Sequence, residues 1–277
     1  MLTLDEVSYR YAGATRASLR DVSLTLRDGE VLGVVGRSEA GKSTLCLVAS
    51  GLAPRTLGGT LSGRVLIDGA DVVARAMHEM ASDVAIGFQN PGTQLSGVAT
   101  TVYEEVAFGP MNLGIARGEV LRRTESSIDA LAIRALVERD PDRLSGGQQQ
   151  LVAIAGLLAL APRHLILDEP TAQLDPAGTR LVSDAIRRLA ARGASILIVE
   201  QKVDLLAGVC DRVLALDEGR LTLEGPSETV LADPALHALG VAEPSPVRLR
   251  RLASEAGVSA RAIELALGRV ATEAPGG

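Results

Sequence analysis

The stretch Gly36-Arg37-Ser38-Glu39-Ala40-Gly41-Lys42-Ser43-Thr44 constrains the fold of this chain more than any other. It follows the apolar run Val31-Leu32-Gly33-Val34-Val35 and precedes Leu45-Cys46-Leu47-Val48-Ala49, an order that reads as strand, loop, helix. The two glycines let the backbone curl so that successive N–H groups face one centre, and the N-terminus of the following helix adds its partial positive charge there. That centre fits a β-phosphate. The pattern G-x-x-x-x-G-K-[ST] assigns Lys42 to the β/γ oxygens of a nucleotide and the Ser43 hydroxyl to Mg²⁺. The bland alternative is a glycine-rich turn with an incidental lysine, and the flanking strand and helix argue against it.

At 277 residues and 47% apolar content, the chain can bury one large core and carry a small appendage. Only 2% of residues are aromatic and none is Trp, so base-stacking surfaces are scarce. The net charge of -6 opposes a phosphate-backbone footprint, and nucleic acid is not expected as a partner. Cys46 and Cys210 lie in apolar segments without metal-ligand spacing and read as buried thiols of a reducing compartment. The longest apolar run, Leu151 to Ala161, is too short to span a bilayer. Asp5 and Glu6 stand where a signal peptide would be basic and then apolar. The expectation is a cytosolic protein that can still dock on a membrane protein.

Residues 2 to 27 alternate apolar and polar positions, which predicts an antiparallel sheet leading into the loop strand. Tyr9 and Tyr11 share one side of it by the period of two. Further strands are expected at Arg64 to Ile67 and Val84 to Phe88, the latter halting at Gln89-Asn90-Pro91-Gly92. The pattern then turns helical from about 95 to 161, with Val102, Val106 and Phe108 on a first helix, a second from about Gly118 to Leu131, and a third after Gly147. The β/α rhythm resumes with His164 to Glu169, a helix from Pro176 to Ala191, a strand from Ser195 to Val199 and a hairpin over 212–224. Residues 1–234 are expected to form one domain, and 235–277 a proline-containing linker with a helix around Val247 to Val270.

Asp168 and Glu169 end an all-apolar strand, where two adjacent buried carboxylates would cost several kcal/mol without a cation or a reaction partner. Behind a phosphate loop, such an acid holds Mg²⁺ and a following Glu orients or deprotonates an attacking water. A helix cap is the structural alternative. Leu144-Ser145-Gly146-Gly147-Gln148 opens the third helix with a serine N-cap and two glycines, which is a second anion site. Two anion sites on one chain suggest two chains sharing nucleotides.

With these motifs in this order, residues 2 to 231 resemble the nucleotide-binding subunit of an ABC transporter. The resemblance implies an α/β, P-loop NTPase fold of the ABC type: an N-terminal antiparallel β subdomain, a RecA-like core, an inserted α-helical subdomain and here a short C-terminal helical appendage. It implies that Ser145, Gly146, Gly147 and Gln148 of one subunit cap the γ-phosphate held by the Gly36 loop of another. It also makes Tyr11 the adenine-stacking aromatic, Gln89 the loop glutamine that senses Mg²⁺ and the membrane partner, and Asp175 part of the loop after Glu169. One position departs from the family pattern. A histidine that contacts the γ-phosphate normally follows the strand Ser195 to Val199 by two residues, and here Glu200 is followed by Gln201. Glutamine can donate a hydrogen bond but carries no imidazolium charge, so an impaired composite site paired with a different ATPase is expected. Arg37-Ser38-Glu39 also replaces the usual Pro-Asn-Gly, placing the Glu39 charge near bound phosphates.

The short interval from Ser43 to Ser145 leaves no room for the coiled coils of chromosome-maintenance relatives, and the single cassette differs from translation-factor relatives. Phe88-Gln89-Asn90-Pro91 with Gln94, followed by Thr101 to Pro110, resembles the ATPases of energy-coupling factor (ECF) importers of vitamins and transition-metal ions. That resemblance implies ATP and Mg²⁺ as cofactors, a second ATPase subunit, a transmembrane scaffold and a substrate-binding membrane subunit as partners, and a peripheral place on the cytoplasmic face of the membrane. Glu104 and Glu105 would meet basic coupling helices of the scaffold, or else form a solvated helix face. Another detached importer ATPase, or a soluble ATP-dependent switch, are the alternatives.

Overall fold

The computed structural model describes residues 1–258 and Ala262. In chain order, the elements begin with β1 (Leu2–Arg10), β2 (Leu19–Leu26), β3 (Val31–Val35), α1 (Lys42–Ala49), β4 (Thr60–Ile67), β5 (Ala70–Asp71), α2 (Met77–Met80) and β6 (Val84–Gly87). The helical stretch follows as α3 (Val102–Asn112), α4 (Arg117–Ala130) and α5 (Gly146–Leu160). The chain continues through β7 (His164–Asp168), α6 (Pro176–Ala190), β8 (Ser195–Val199), α7 (Val203–Val209), β9 (Arg212–Asp217) and β10 (Arg220–Pro226). Three short helices close it: α8 (Ser227–Val230), α9 (Ala235–Ala238) and α10 (Ser245–Glu255).

Two sheets result. The first is antiparallel in the order β2-β1-β4-β5. In β1, Leu2 and Leu4 point inward, the register shifts between Leu4 and Val7, and Val7 and Tyr9 then take over the buried side. The second sheet runs β10-β9-β3-β8-β7-β6, parallel from β9 to β6 with β10 as an antiparallel hairpin edge. Its central strands are apolar between their end residues because both faces are covered. The period of two divides them: Val31, Val35, Leu165, Leu167, Ile196 and Ile198 join the core under α5, α6 and α7, whereas Leu32, Val34, Ile166, Leu197 and Val199 join the core under α1 and the antiparallel sheet. Each fully buried aliphatic side chain contributes about 1.5–3 kcal/mol. A slip of one residue in β3 would exchange the side chains of two differently shaped cores, which fixes the register.

Helices α3, α4 and α5 pack on one another as the inserted helical unit, and α5 returns the chain to β7. Leu236 and Val241 are buried in the main core, so packing carries the first unit on to Val241, past the expected limit at 234. Beyond it, α10 buries no residue and is tethered where Asp204 accepts from the Ser245 backbone N–H and hydroxyl, both at 2.6 Å. The expected helix to Val270 is seen to Glu255, and its remainder falls largely outside the described residues. Because β3, β8, β7 and β6 are neighbouring parallel strands, the residues that follow them emerge together at one sheet edge. These are Gly36, Gln201, Glu169 and Gln89.

Candidate nucleotide site

The phosphate loop forms between β3 and α1 as the sequence predicts. A Cβ on Gly36 would lie 2.2 Å from the Leu216 carbonyl oxygen, and Gly41 combines φ +105° with a Cβ position 2.5 Å from the Ser18 carbonyl. Only glycine lets the loop pass this close to β9 and to the segment before β2. Lys42 is buried, and its Nζ donates to the Gly36 and Arg37 carbonyls, each at 2.9 Å. Burial lowers its pKa, while the Glu169 and Asp168 charges oppose that shift. The substituted middle of the loop is exposed. Arg37 pairs with Asp217 at 3.0 Å and Glu218 at 2.9 Å, fastening the loop to the β9–β10 turn. Glu39 stands with φ +66° on a rim that it shares with Arg16 and Arg20.

Asp168 ends β7 at 8% exposure, and its Oδ1 is a buried acceptor with no donor. Burial raises its pKa, the Ser43 hydroxyl works against the rise, and Glu169 adds to it. An orphaned carboxylate oxygen beside a serine hydroxyl is suited to a hard divalent cation, which takes oxygen ligands. Ser43 and Asp168 therefore fit Mg²⁺. Among the described residues no group of three or more His, Cys, Asp or Glu side chains forms a metal cage.

Glu169 turns out of the strand at φ +48°, a left-handed conformation that is uncommon for a residue other than glycine and recurs at functional sites. Its backbone N–H donates to the Val199 carbonyl at 2.8 Å. Both carboxylate oxygens are held by amides: Gln89 Nε2 donates to Oε2 at 2.8 Å and Gln201 Nε2 donates to Oε1 at 2.6 Å. The structure thus brings together the loop glutamine, the strand-end acid and the glutamine in the histidine position. The Gln89 loop is itself shaped by Phe88 N–H donating to Gln94 Oε1 at 3.0 Å.

The segment behind Gln201 is locked. Glu200 is buried, accepting from the Thr171 N–H at 3.0 Å and hydroxyl at 2.6 Å and from the N–H groups of Gln201 and Lys202 at 3.0 and 3.2 Å. Lys202 Nζ donates to the Thr171 and Leu174 carbonyls at 2.6 and 3.3 Å. This latch ties the loop after β8 to the loop after β7 and was not anticipated from the sequence. A signal was available: Lys42 and Lys202 are the only two lysines in a chain with 26 arginines.

Ser145 caps α5, accepting from the Gln148 N–H at 3.4 Å while Gln148 Oε1 accepts from the Ser145 N–H at 3.1 Å. Gly146 and Gly147 lie against Gln173, where a Cβ on Gly146 would come within 2.3 Å of Gln173 Oε1. Asp175 caps α6 through the Gly178 N–H at 2.7 Å. Tyr11 packs edge-on to Tyr9 at 4.9 Å, with its hydroxyl 3.2 Å from Thr44 Oγ1. A pocket of about 680 Å³ is lined by Ser38 to Ser43 without Ala40, by Thr44, Gln89, Glu169 and Gln201, and by Arg16 and Arg20. Neither Tyr11 nor any residue from Ser145 to Gln148 lines it. Arg16 and Arg20 were missed in the sequence, where nothing separates them from the other arginines. Glu104 and Glu105, expected on a contact surface, brace the start of α3: Glu104 accepts from Thr100 and Thr101, and Glu105 from Ser96. Cys46 and Cys210 are free, and burial pushes both thiols up, as expected of inert packing residues.

The ABC transporter family profile matches residues 19–172. An ABC transporter ATP-binding protein of Pyrococcus horikoshii is 38% identical over 265 residues, covering 95% of this chain and 93% of the relative. The energy-coupling factor transporter ATP-binding protein EcfA2 of Symbiobacterium thermophilum is 39% identical over 265 residues, covering 93% and 90%. Among solved structures, cbiO1 from Clostridium perfringens, described as part of the ABC transporter complex cbiONQ, superposes with a TM-score of 0.73 at 31% identity, covering 85% of this chain and 92% of that one. With its phosphate loop, its strand-end acids and its capped Ser145 loop in the order and on the sheet edge described, the chain belongs to the ABC transporter ATP-binding family.

Proposed function

We propose that this chain is the ATP-hydrolysing subunit of an ECF-type importer that takes up a vitamin or a transition-metal ion. The reading rests on the likeness to EcfA2 and to cbiO1 of the cbiONQ complex. One observation carries the mechanism. The Ser145 loop lines no part of the phosphate-loop pocket of its own chain, so the Gly146 and Gly147 N–H groups, which the capping box does not use, can serve a second cassette.

In this mechanism the Gly36 to Thr44 loop and Lys42 hold the β- and γ-phosphates, and Tyr11 stacks on the adenine. Ser43, Asp168 and Gln89 would hold Mg²⁺, which neutralises developing phosphate charge when bound. Ser145, Gly146, Gly147 and Gln148 of a partner cassette close over the γ-phosphate, with Asp175 at the dimer seam. Glu169 positions the attacking water and takes its proton. The Gln89 loop passes closure of the cassettes to a transmembrane scaffold, and a separate membrane subunit selects the substrate. The likeness to EcfA2 and cbiO1 supports a place at the cytoplasmic face of the membrane, in contact with these partners.

Turnover at this half-site is slow. Both Glu169 oxygens already accept from glutamine amides, which fixes the orientation of the carboxylate and leaves water only the second lone pair of each oxygen. Gln201 gives one amide N–H to Glu169 and brings no positive charge to the γ-phosphate. The chain therefore pairs with a different ATPase. Affinity purification from solubilised membranes tests the assignment. Recovery of a multi-span scaffold, a small membrane subunit and a second ATPase is expected, and recovery of soluble partners alone overturns it.

A further inference from the structure

A second cavity, of about 460 Å³, lies at the opposite edge of the sheet from the nucleotide site, where β7 and β8 begin. Its rim carries five arginines: Arg122 and Arg123 from α4, Arg163 from the α5–β7 connection, Arg188 from the last turn of α6 and Arg192 from the turn after it. Its floor is apolar, with Leu158, Pro162 and Leu189. On a chain of net charge -6 this concentration of cations stands out.

The acids nearby neutralise it only in part. Glu119 holds both Arg122, at 2.7 and 2.6 Å, and Arg123, at 2.7 Å. Asp129, the acid on the rim, is taken by Arg134 at 2.6 Å. Arg163 pairs outward with Asp68 at 2.9 Å. Two arginines are pinned by carbonyls, which carry no countercharge: Arg188 Nη2 donates to Ala130 and Arg123 Nη1 to Leu160, each at 2.9 Å. Arg192 has no ion pair among the described residues. A carboxylate offers two oxygens, fewer than these forks can serve, whereas a phosphate or diphosphate matches several guanidinium planes at once. The apolar floor has room for an organic body behind the phosphate.

We infer that this cavity binds a small soluble molecule carrying a phosphate or diphosphate group. Its oxygens would join Arg122 and Arg123 of the helical unit to Arg188 and Arg192 of the core, across the α5–β7 connection, where Ala161 takes φ +51°. A ligand so placed couples to catalysis by restraining the helical unit that carries the Ser145 loop.

The test is calorimetric titration of the full chain with inorganic pyrophosphate at fixed ionic strength. Pyrophosphate also fits the phosphate loop, so wild type should bind two equivalents. Lys42→Ala should keep the cavity equivalent, and Arg188→Ala/Arg192→Ala should keep the phosphate-loop equivalent, which also reports that the double variant is folded. Arg192→Ala alone, which removes no side-chain hydrogen bond or ion pair seen among the described residues, should weaken the cavity equivalent about 10–100-fold, the loss of a charged hydrogen bond. Binding of a single equivalent that Lys42→Ala abolishes overturns the inference. So does a cavity equivalent unchanged in both arginine variants. Flotation with phosphatidate vesicles that the double variant loses, with no cavity equivalent for pyrophosphate, would assign the arginines to a lipid headgroup and likewise overturn it.

Discussion

The sharpest consequence of the Glu169 clamp is that Gln201→His should accelerate turnover. In wild type, Gln201 Nε2 lies 2.6 Å from Glu169 Oε1, so one of its two amide N–H groups is held by the base. A histidine there supplies a donor, positively charged when protonated, to the γ-phosphate as charge develops. A charge-assisted hydrogen bond contributes about 1.5–3 kcal/mol, which corresponds to roughly 10–100-fold in rate if it forms only in the transition state. Because Gln201 is exposed in the isolated chain, the lower end of that range applies until a partner cassette excludes water. Gln201→Ala separates the two halves of the effect. It frees Oε1 without adding a phosphate donor, and losing one amide bond at an exposed site is worth about 1 kcal/mol, or roughly fivefold. The assay is single-turnover ATP hydrolysis with the partner ATPase present, compared across wild type, Gln201→Ala and Gln201→His. The expected order is wild type slowest and Gln201→His fastest by about tenfold or more. A wild-type chain that hydrolyses ATP as fast as Gln201→His refutes the reasoning, because Gln201 would then already serve the phosphate.

Lys42→Ala removes a buried cation aimed at the phosphates, and equilibrium binding of a fluorescent ATP analogue should weaken about 30-fold or more. Glu169→Gln should keep that binding and lose multiple-turnover hydrolysis, as phosphate release will report; retained hydrolysis would remove Glu169 from the base role. Gly36→Ala forces a Cβ to 2.2 Å from the Leu216 carbonyl, so β3 and β9 must part at the loop. Such overpacking costs about 1–3 kcal/mol, and thermal unfolding should fall by about 2–4 °C for each kcal/mol, with nucleotide affinity falling alongside. His164 is buried beside Asp68 with Nδ1 unpartnered, and burial lowers its pKa below the ordinary value of about 6.5. The unfolded chain therefore binds a proton that the folded chain refuses, and stability present above about pH 6.5 declines as pH falls, by up to about 1.4 kcal/mol per pH unit. His164→Gln should flatten that acid limb in denaturant titrations at pH 5 to 7, and an unchanged slope would place the acid sensitivity elsewhere.

The strand, loop and helix around Gly36 were legible in the sequence because each level agrees with the next: an apolar run buried on two faces, glycines at two close approaches and a helix start at Lys42. The Asp168-Glu169 pair was legible for the same reason, since an apolar strand cannot end in two acids without a use for them. The pairing of β4 with β1 in the antiparallel sheet was not, because alternation reports which face is buried and not which neighbour is hydrogen-bonded. The role of Glu104 and Glu105 also escaped, since Thr101-x-x-Glu104 is a capping box whose local bonds consume the charge that composition alone would offer to a partner.

What the sequence could least convey is the division of labour among the three residues at the sheet edge. Gln89, Glu169 and Gln201 are each separated by tens of residues, and their meeting follows only from the parallel order β8-β7-β6. Read singly, Gln201 is an absent histidine. Placed at 2.6 Å from Glu169, with Glu200 and Lys202 latching the same loop to Thr171 and Leu174, it becomes a restraint on the base. On the proposed mechanism that restraint would persist in the closed dimer, because Gln201 brings no positive charge with which the γ-phosphate could draw it away from Glu169.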